Sequence, residues 1–251
     1  MSKPLITAKN VSFSYGDKQT LNNLTFELAT GKNLGILGES GSGKSTLLKL
    51  AVGLLRPQSG TFEVNGEINR SFTSDVQMIF QDPHTSIDPR QKIRSVIAEP
   101  LISFKLGPTE DRREWLESRV VETLKAVGLS PDALDKRARE FSGGQRQRIA
   151  IARAIITEPK ILLAVEPVSA LDLATKVRII ELLSALAQEK QTSIVLVSHD
   201  MASIAAIADD VLVMKSGEIV EQGAKHQILK DPQHPYTQAL LKSVLRMPAI
   251  S

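Results

Sequence analysis

Residues 38–45 read Gly38-Glu39-Ser40-Gly41-Ser42-Gly43-Lys44-Ser45, a glycine-spaced loop that closes on a lysine and a hydroxyl. Every required position of G-x-x-x-x-G-K-[ST] is met. A short apolar run, Asn33-Leu34-Gly35-Ile36-Leu37, precedes the loop, and a helical pattern, Ser45 to Val52, follows it. That context suits a phosphate chain. Glycines let the backbone wrap closely enough to aim N–H groups at phosphate oxygens, and the positive end of the helix adds to the attraction. Lys44 is expected to reach the β- and γ-phosphates, and the Ser45 hydroxyl to ligate Mg²⁺. The expected phosphate-binding set runs from Gly38 through Thr46.

Such loops serve kinases, GTPases, helicases and transporters, so the loop alone names no function. A second glycine-rich helix opening is more specific: Phe141-Ser142-Gly143-Gly144-Gln145-Arg146-Gln147-Arg148, followed by Ile149-Ala150-Ile151-Ala152-Arg153-Ala154. It repeats the device of backbone N–H groups at a helix N-terminus. This motif resembles the signature of ATP-binding cassette proteins, with phenylalanine in place of the usual leucine. In that family the signature of one subunit faces the phosphate loop of another, so two subunits sandwich two ATP molecules. The resemblance therefore implies that Ser142, Gly143, Gly144 and Gln145 bind a nucleotide held by a partner.

Other family marks follow in order. Tyr15 stands where the family places an aromatic that stacks on adenine; from the residues alone it is a strand-packing side chain. Gln81, after Val76-Gln77-Met78-Ile79-Phe80, resembles the glutamine that senses Mg²⁺ and the attacking water. Glu166, closing the run Ile161 to Val165, resembles the catalytic carboxylate. Ser169-Ala170-Leu171-Asp172 resembles the D-loop, which brings Asp172 to the nucleotide. His199, after Ile194-Val195-Leu196-Val197-Ser198, resembles the switch histidine that contacts the γ-phosphate. The implied catalytic set is Glu166, His199 and Gln81; Ser45 and Gln81 are the implied metal ligands.

One position departs from the family. The aspartate that normally precedes the catalytic glutamate, and holds the Mg²⁺ shell, is Val165 here. A lost charge-assisted hydrogen bond is worth roughly 1.5–3 kcal/mol, about ten- to a hundredfold in metal affinity or rate. Turnover at this chain's own site is expected to be reduced. Val168 also replaces the usual threonine or serine.

Gln81-Asp82-Pro83-His84-Thr85-Ser86-Ile87-Asp88-Pro89-Arg90, Ala98-Glu99-Pro100-Leu101 and the tail His234-Pro235-Tyr236-Thr237-Gln238-Ala239-Leu240-Leu241 resemble the oligopeptide, dipeptide and nickel importers. That likeness implies an ATP-driven importer subunit for peptides, nickel or a metal–chelate complex. The implied partners are a second ATPase subunit (a different chain, or else a second copy), two integral membrane permease subunits and, indirectly, an extracytoplasmic solute-binding protein. The implied location is the cytoplasmic face of the cell membrane, with residues around 82–105 touching the permease.

The elements that must position these groups follow from hydrophobic spacing. Residues 5–15 and 24–28 read as strands, as do stretches of 60–80 broken at Asn65-Gly66. From about 92 to 158 the pattern is helical, with Leu116, Val120, Leu124 and Val127 on one face and Gly128 as a helix end. Then come strands 161–164 and 193–197, a helix 176–190, and short tail helices at 227–245 interrupted by Pro232 and Pro235. Strand alternating with helix implies a parallel sheet covered on both faces. The expected fold is α/β: a P-loop, RecA-like core with an antiparallel β lobe (1–81 and 159–226), an inserted α-helical lobe (about 82–158) and a C-terminal helical element (about 227–251).

Composition narrows the partners. The 251 residues carry 31 basic and 28 acidic side chains, a net charge of +3, and the two signs are interspersed, as in Glu110-Asp111-Arg112-Arg113-Glu114. No nucleic-acid partner is expected from so even a distribution. Cysteine is absent, which excludes disulfides, iron–sulfur clusters and cysteine-based zinc sites. No apolar run reaches the ~20 residues that span a bilayer. Met1-Ser2-Lys3-Pro4 leads into no apolar leader, so an unexported protein is expected. A ribosome-acting cassette ATPase usually carries two cassettes, whereas one loop and one signature occur here. In DNA-repair ATPases a long coiled coil separates the two motifs; residues 46–141 alone do so here. A nucleotide-dependent regulator outside transport is the alternative that Val165 keeps open.

Overall fold

The computed structural model describes residues 4–68, 73–81, 86–169 and 171–245. Along the chain, β1 (Pro4–Tyr15) and β2 (Lys18–Ala29) are followed by β3 (Leu34–Leu37), α1 (Lys44–Ala51), β4 (Ser59–Val64), β5 (Glu67–Ile68) and β6 (Val76–Ile79). Next come α2 (Ile93–Ser103), α3 (Arg112–Ala126), α4 (Gly143–Ile155), β7 (Ile161–Val165) and α5 (Leu173–Glu189). The remainder is β8 (Ser193–Val197), α6 (Met201–Ile207), β9 (Asp210–Lys215), β10 (Glu218–Ala224), α7 (Lys225–Lys230) and α8 (Pro235–Leu245). The chain divides into two compact units, one drawn from residues before 73 and after 192, the other from 73–192.

The first unit holds an antiparallel sheet in the order β2-β1-β4-β5. Its strands alternate as half-buried strands should: Leu24, Phe26 and Leu28 of β2 face inward while the residues between them are exposed. Phe26 meets Phe62 of β4 edge-on, centroids 6.3 Å apart. Each such fully buried side chain contributes about 1.5–3 kcal/mol relative to exposure. The same unit carries β10-β9-β3-β8. There β3 runs parallel to both β8 and β9, with Leu34 opposite Val195 on one side and Asp210 on the other. All of β3 and β8 is buried, which is why both read as unbroken apolar runs.

In the second unit β6 and β7 pair in parallel, Val76 opposite Ile161 through Ile79 opposite Ala164, and both strands are buried throughout. Helix α4 packs on α2, and α3 packs on both. Val120 and Leu124 form the buried stripe of α3, while Leu116, expected on the same face, is half-buried. Gly128, at φ 72°, turns the chain out of that helix, and the Arg148 guanidinium donates to its carbonyl at 2.8 Å. Burial holds the Arg148 pKa below its ordinary value, although Asp172 nearby opposes this.

Several elements differ from the sequence expectation. Strand β2 begins six residues before the expected Leu24, because pairing continues to Tyr15 opposite Lys18 at the turn. The 92–158 stretch includes two 3-10 turns, Pro131–Ala133 and Ala138–Glu140. The β9–β10 hairpin and α6 were not expected. Pro235 opens α8 instead of interrupting a helix, since proline needs no N–H at a first helical position. The 82–105 stretch expected to touch a permease lies partly outside the described residues, as does Ala170 of the expected D-loop. Among the described residues no helix is long and apolar enough to cross a membrane.

Candidate nucleotide site

The phosphate loop leaves the carboxyl end of β3. Gly38 follows Ile36 by two residues, as His199 follows Val197, and Ile36 and Val197 are direct partners in the β3–β8 pair. Both segments therefore start from one edge, where open α/β sheets bind ligands. His199 is exposed; the next residue, Asp200, caps α6 by accepting the Ser203 N–H at 3.1 Å.

Two glycines of the loop are required by geometry. A Cβ on Gly38, at φ 150°, would lie 2.3 Å from the Met214 carbonyl oxygen. A Cβ on Gly43, at φ 100°, would lie 2.6 Å from Leu21 Cδ2. Gly43 also caps α1, and having no side chain it spends none on the first-turn N–H groups, which remain the natural donors to a phosphate. A main-chain bond ties the loop to the β9–β10 turn, the Gly217 N–H donating to the Ser42 carbonyl at 3.1 Å, and β2 holds the same turn through the Asn22 N–H, which donates to the Gly217 carbonyl at 2.8 Å. Lys44 lies across the loop, its ammonium donating to the carbonyls of Gly38 at 2.8 Å and Glu39 at 2.6 Å and to Ser42 Oγ at 3.2 Å. Ser45 is exposed on the first turn of α1. A wound loop with backbone donors and a centred ammonium fits a polyphosphate, and the exposed Ser45 hydroxyl fits a hard cation shared with it. Among the described residues no group of three or more His, Asp or Glu side chains gathers into a metal site of its own.

Tyr15 ends β1 with its ring edge-on to Phe13, centroids 4.9 Å apart, and it is 47% exposed. The strand-packing and ring-stacking readings of Tyr15 are thus compatible, since one edge packs while ring surface stays open.

In the second unit Gln81 and Glu166 each follow by two residues the paired Ile79 and Ala164, so both leave the same end of the β6–β7 pair. Gln81 is exposed and Glu166 half-buried. Glu166 sits in the left-handed region at φ 47°, uncommon for a residue with a side chain, and the Ser169 N–H and hydroxyl both donate to its carbonyl. Val165 is 6% exposed.

The signature motif opens α4. Ser142, exposed, is the N-cap: its Oγ accepts from the Gln145 N–H at 3.3 Å, and Gln145 Oε1 accepts from the Ser142 N–H at 2.9 Å. This capping box satisfies two donors internally and leaves Gly143 and Gly144 at the first two helical positions. Phe141 is buried, which suits the apolar residue expected there. Asp172 caps α5, accepting the Thr175 N–H at 2.9 Å and its hydroxyl at 2.7 Å, and these bonds hold its carboxyl below the ordinary value. Its carboxylate is thus engaged within its own helix end.

Sequence reasoning missed Met214, Gly217 and Glu221 as supports of the loop and its surroundings. Tyr236 stands in the tail motif, but nothing local in the sequence points to its contact with Glu39.

A loop of this construction, at the carboxyl end of a buried parallel strand, defines a P-loop nucleotide-binding protein. Residues 21–169 match the family described as ABC transporter, and residues 220–250 match the oligopeptide/dipeptide transporter C-terminal region. The di/tripeptide transport ATP-binding protein DppF of Pseudomonas aeruginosa is 42% identical, over 90% of this chain and 71% of that protein. The oligopeptide transport ATP-binding protein AppF of Bacillus subtilis is 40% identical, over 91% and 71% respectively. Among solved structures, the dimeric bacterial ABC transporter cassette MJ0796 superposes with a TM-score of 0.80 at 29% identity, covering 88% of this chain and 98% of that one. The chain belongs to the ABC transporter family. It has the α/β cassette fold of that family, with an antiparallel β lobe and an inserted helical lobe, and it is an ATP-binding ATPase of the ABC type.

Proposed function

We propose that this chain is the ATP-hydrolysing subunit that energises import of peptides through a membrane complex. The observation that carries the reading is the Gly43-capped α1 with Lys44 lying across its loop, in a chain whose tail matches the oligopeptide/dipeptide C-terminal region. Relatives that align along nine-tenths of the chain are peptide-transport ATP-binding proteins. Nickel or a metal–chelate complex would use the same motor, because cargo is selected by other subunits.

In this reading the loop from Gly38 to Thr46 holds the phosphates, and Tyr15 stacks on the adenine. Ser45 and Gln81 would hold Mg²⁺, which would supply charge neutralisation to the phosphate chain. Glu166 orients the attacking water, and His199 contacts the γ-phosphate. Ser142 to Gln145 and Asp172 serve the nucleotide across a two-subunit seam. The second ATPase subunit is a different chain, and the pair docks on two permeases at the cytoplasmic face of the membrane. The helical lobe spans about 82–158. With Val165 buried beside Glu166, this chain's own site turns over slowly while its signature serves the partner's site.

The test is ATPase activity of the reconstituted complex, with Glu166→Gln placed in this chain and its equivalent in the partner ATPase separately. Substitution in the partner should remove most turnover, and substitution here much less. Failure to co-purify with membrane subunits would instead favour a nucleotide-dependent regulator.

A further inference from the structure

The residue at the head of the phosphate loop is gripped on both sides. The Glu39 carbonyl accepts from Lys44 at 2.6 Å, and the Glu39 N–H donates to the Tyr236 hydroxyl at 3.1 Å. Tyr236 is the second residue of α8 and is half-buried. It is fixed from three directions. The Lys215 ammonium lies 5.0 Å from its ring centroid, and its own N–H donates to His234 Nδ1 at 3.1 Å. The Glu221 carboxylate of β10 accepts the N–H groups of Gln233 at 2.7 Å and His234 at 3.2 Å, anchoring the segment that delivers it. All these residues except Glu39, Lys44 and Lys215 lie within the stretch that matches the oligopeptide/dipeptide C-terminal region, for which the match itself gives no role.

We infer that Tyr236 is a positioning residue for ATP: its hydroxyl holds the Glu39 peptide and, through it, the Lys44 ammonium in register with the phosphate loop. The inference rests on the ATP-binding reading of that loop and assigns the C-terminal element a part in it. The physical reason is preorganisation. A loop whose first peptide is already held loses less freedom when a phosphate chain binds, and that saving appears as affinity. A phenol can do this where a phenylalanine cannot, because its hydroxyl gives the exposed Glu39 N–H an acceptor fixed to the fold in place of mobile water.

The test compares ATP binding by calorimetry in the full chain and in two variants. Tyr236→Phe keeps the ring and the Lys215 contact but removes the hydroxyl; Lys215→Met loosens the ring but keeps the hydroxyl. The expected result is an ATP Kd raised about 2- to 10-fold by Tyr236→Phe, and a Kd within about twofold of the parent for Lys215→Met, even where its melting temperature falls. An unchanged or tighter Kd in Tyr236→Phe overturns the inference, as does equal weakening by both variants, which would mark general packing. A parent chain that binds no ATP brings down the nucleotide reading itself, a result distinct from either.

Discussion

Val165 and Glu166 are adjacent in sequence and opposite in environment: Val165 ends β7 at 6% exposure, while Glu166 turns out of the strand in a left-handed conformation. The strand thus presents the carboxylate at the carboxyl end of the β6–β7 pair with an apolar side chain behind it.

Replacing Val165 by aspartate is expected to raise turnover at this chain's own site about ten- to a hundredfold, the worth of one charge-assisted hydrogen bond, read in the assembled complex with the partner ATPase's site inactivated. Without Mg²⁺ the same variant should melt at a lower temperature, because an isolated carboxylate is costly to bury. Equal ATPase rates for parent and variant would argue that other ligands already compensate.

Glu166→Gly should abolish turnover at this site and yet stabilise the chain. A non-glycine residue in the left-handed region carries about 1 kcal/mol of strain, so the melting temperature is expected to rise by about 2–4 °C. Glu166→Ala, which keeps the strain, should lose turnover without the gain. Thermal denaturation of the three proteins side by side decides the matter.

Removing the Ser142 hydroxyl opens the capping box at the signature motif. Ser142→Ala should cost about 1 kcal/mol, read as a lowered urea midpoint at unchanged slope, whereas Ser142→Thr should retain most of it. If alanine is neutral, the cap seen between Ser142 and Gln145 contributes nothing in solution.

The C-terminal element should loosen in acid. Burial pushes the Glu221 pKa up, but the Thr237 hydroxyl, the Gln233 and His234 N–H groups and the His234 charge together hold it below its ordinary 4.5. A carboxyl depressed on folding stabilises above its unfolded value and loses that contribution as pH falls through the folded value. Amide exchange in α8 should therefore accelerate, beyond its intrinsic pH dependence, as pH falls below about 4.5, and Glu221→Gln should flatten that profile. A parent profile as flat as the variant's would remove Glu221 from the account.

The chemistry-bearing parts were legible because they are local. Glycine spacing marked the loop, and unbroken apolar runs marked β3, β7 and β8, whose burial on both faces leaves no alternation to read. Gly128 marked a helix end through its left-handed turn. What escaped depends on distant pairing. The run Val211-Leu212-Val213-Met214 before Ser216-Gly217 carried a strand-and-turn signal, but only its parallel register with β3 reveals that it backs the phosphate loop. Tyr236 meets Glu39 across 197 positions of sequence, a contact that no periodicity encodes. Asp172 shows both sides at once: its motif resembles the D-loop in the sequence, while its capping bonds to Thr175 appear only in the structure.

The attachment of the phosphate loop to the β9–β10 turn runs from main chain to main chain, through the bond between Ser42 and Gly217 and the close approach of the Met214 carbonyl to Gly38. Those contacts constrain spacing more than side-chain identity. Residue swaps at Lys215 or Ser216 leave those backbone bonds intact, whereas inserting or deleting a single residue between Met214 and Glu218 would displace the very peptide that closes on Ser42. Divergent copies of this chain should accordingly vary in spelling at this hairpin while keeping its length.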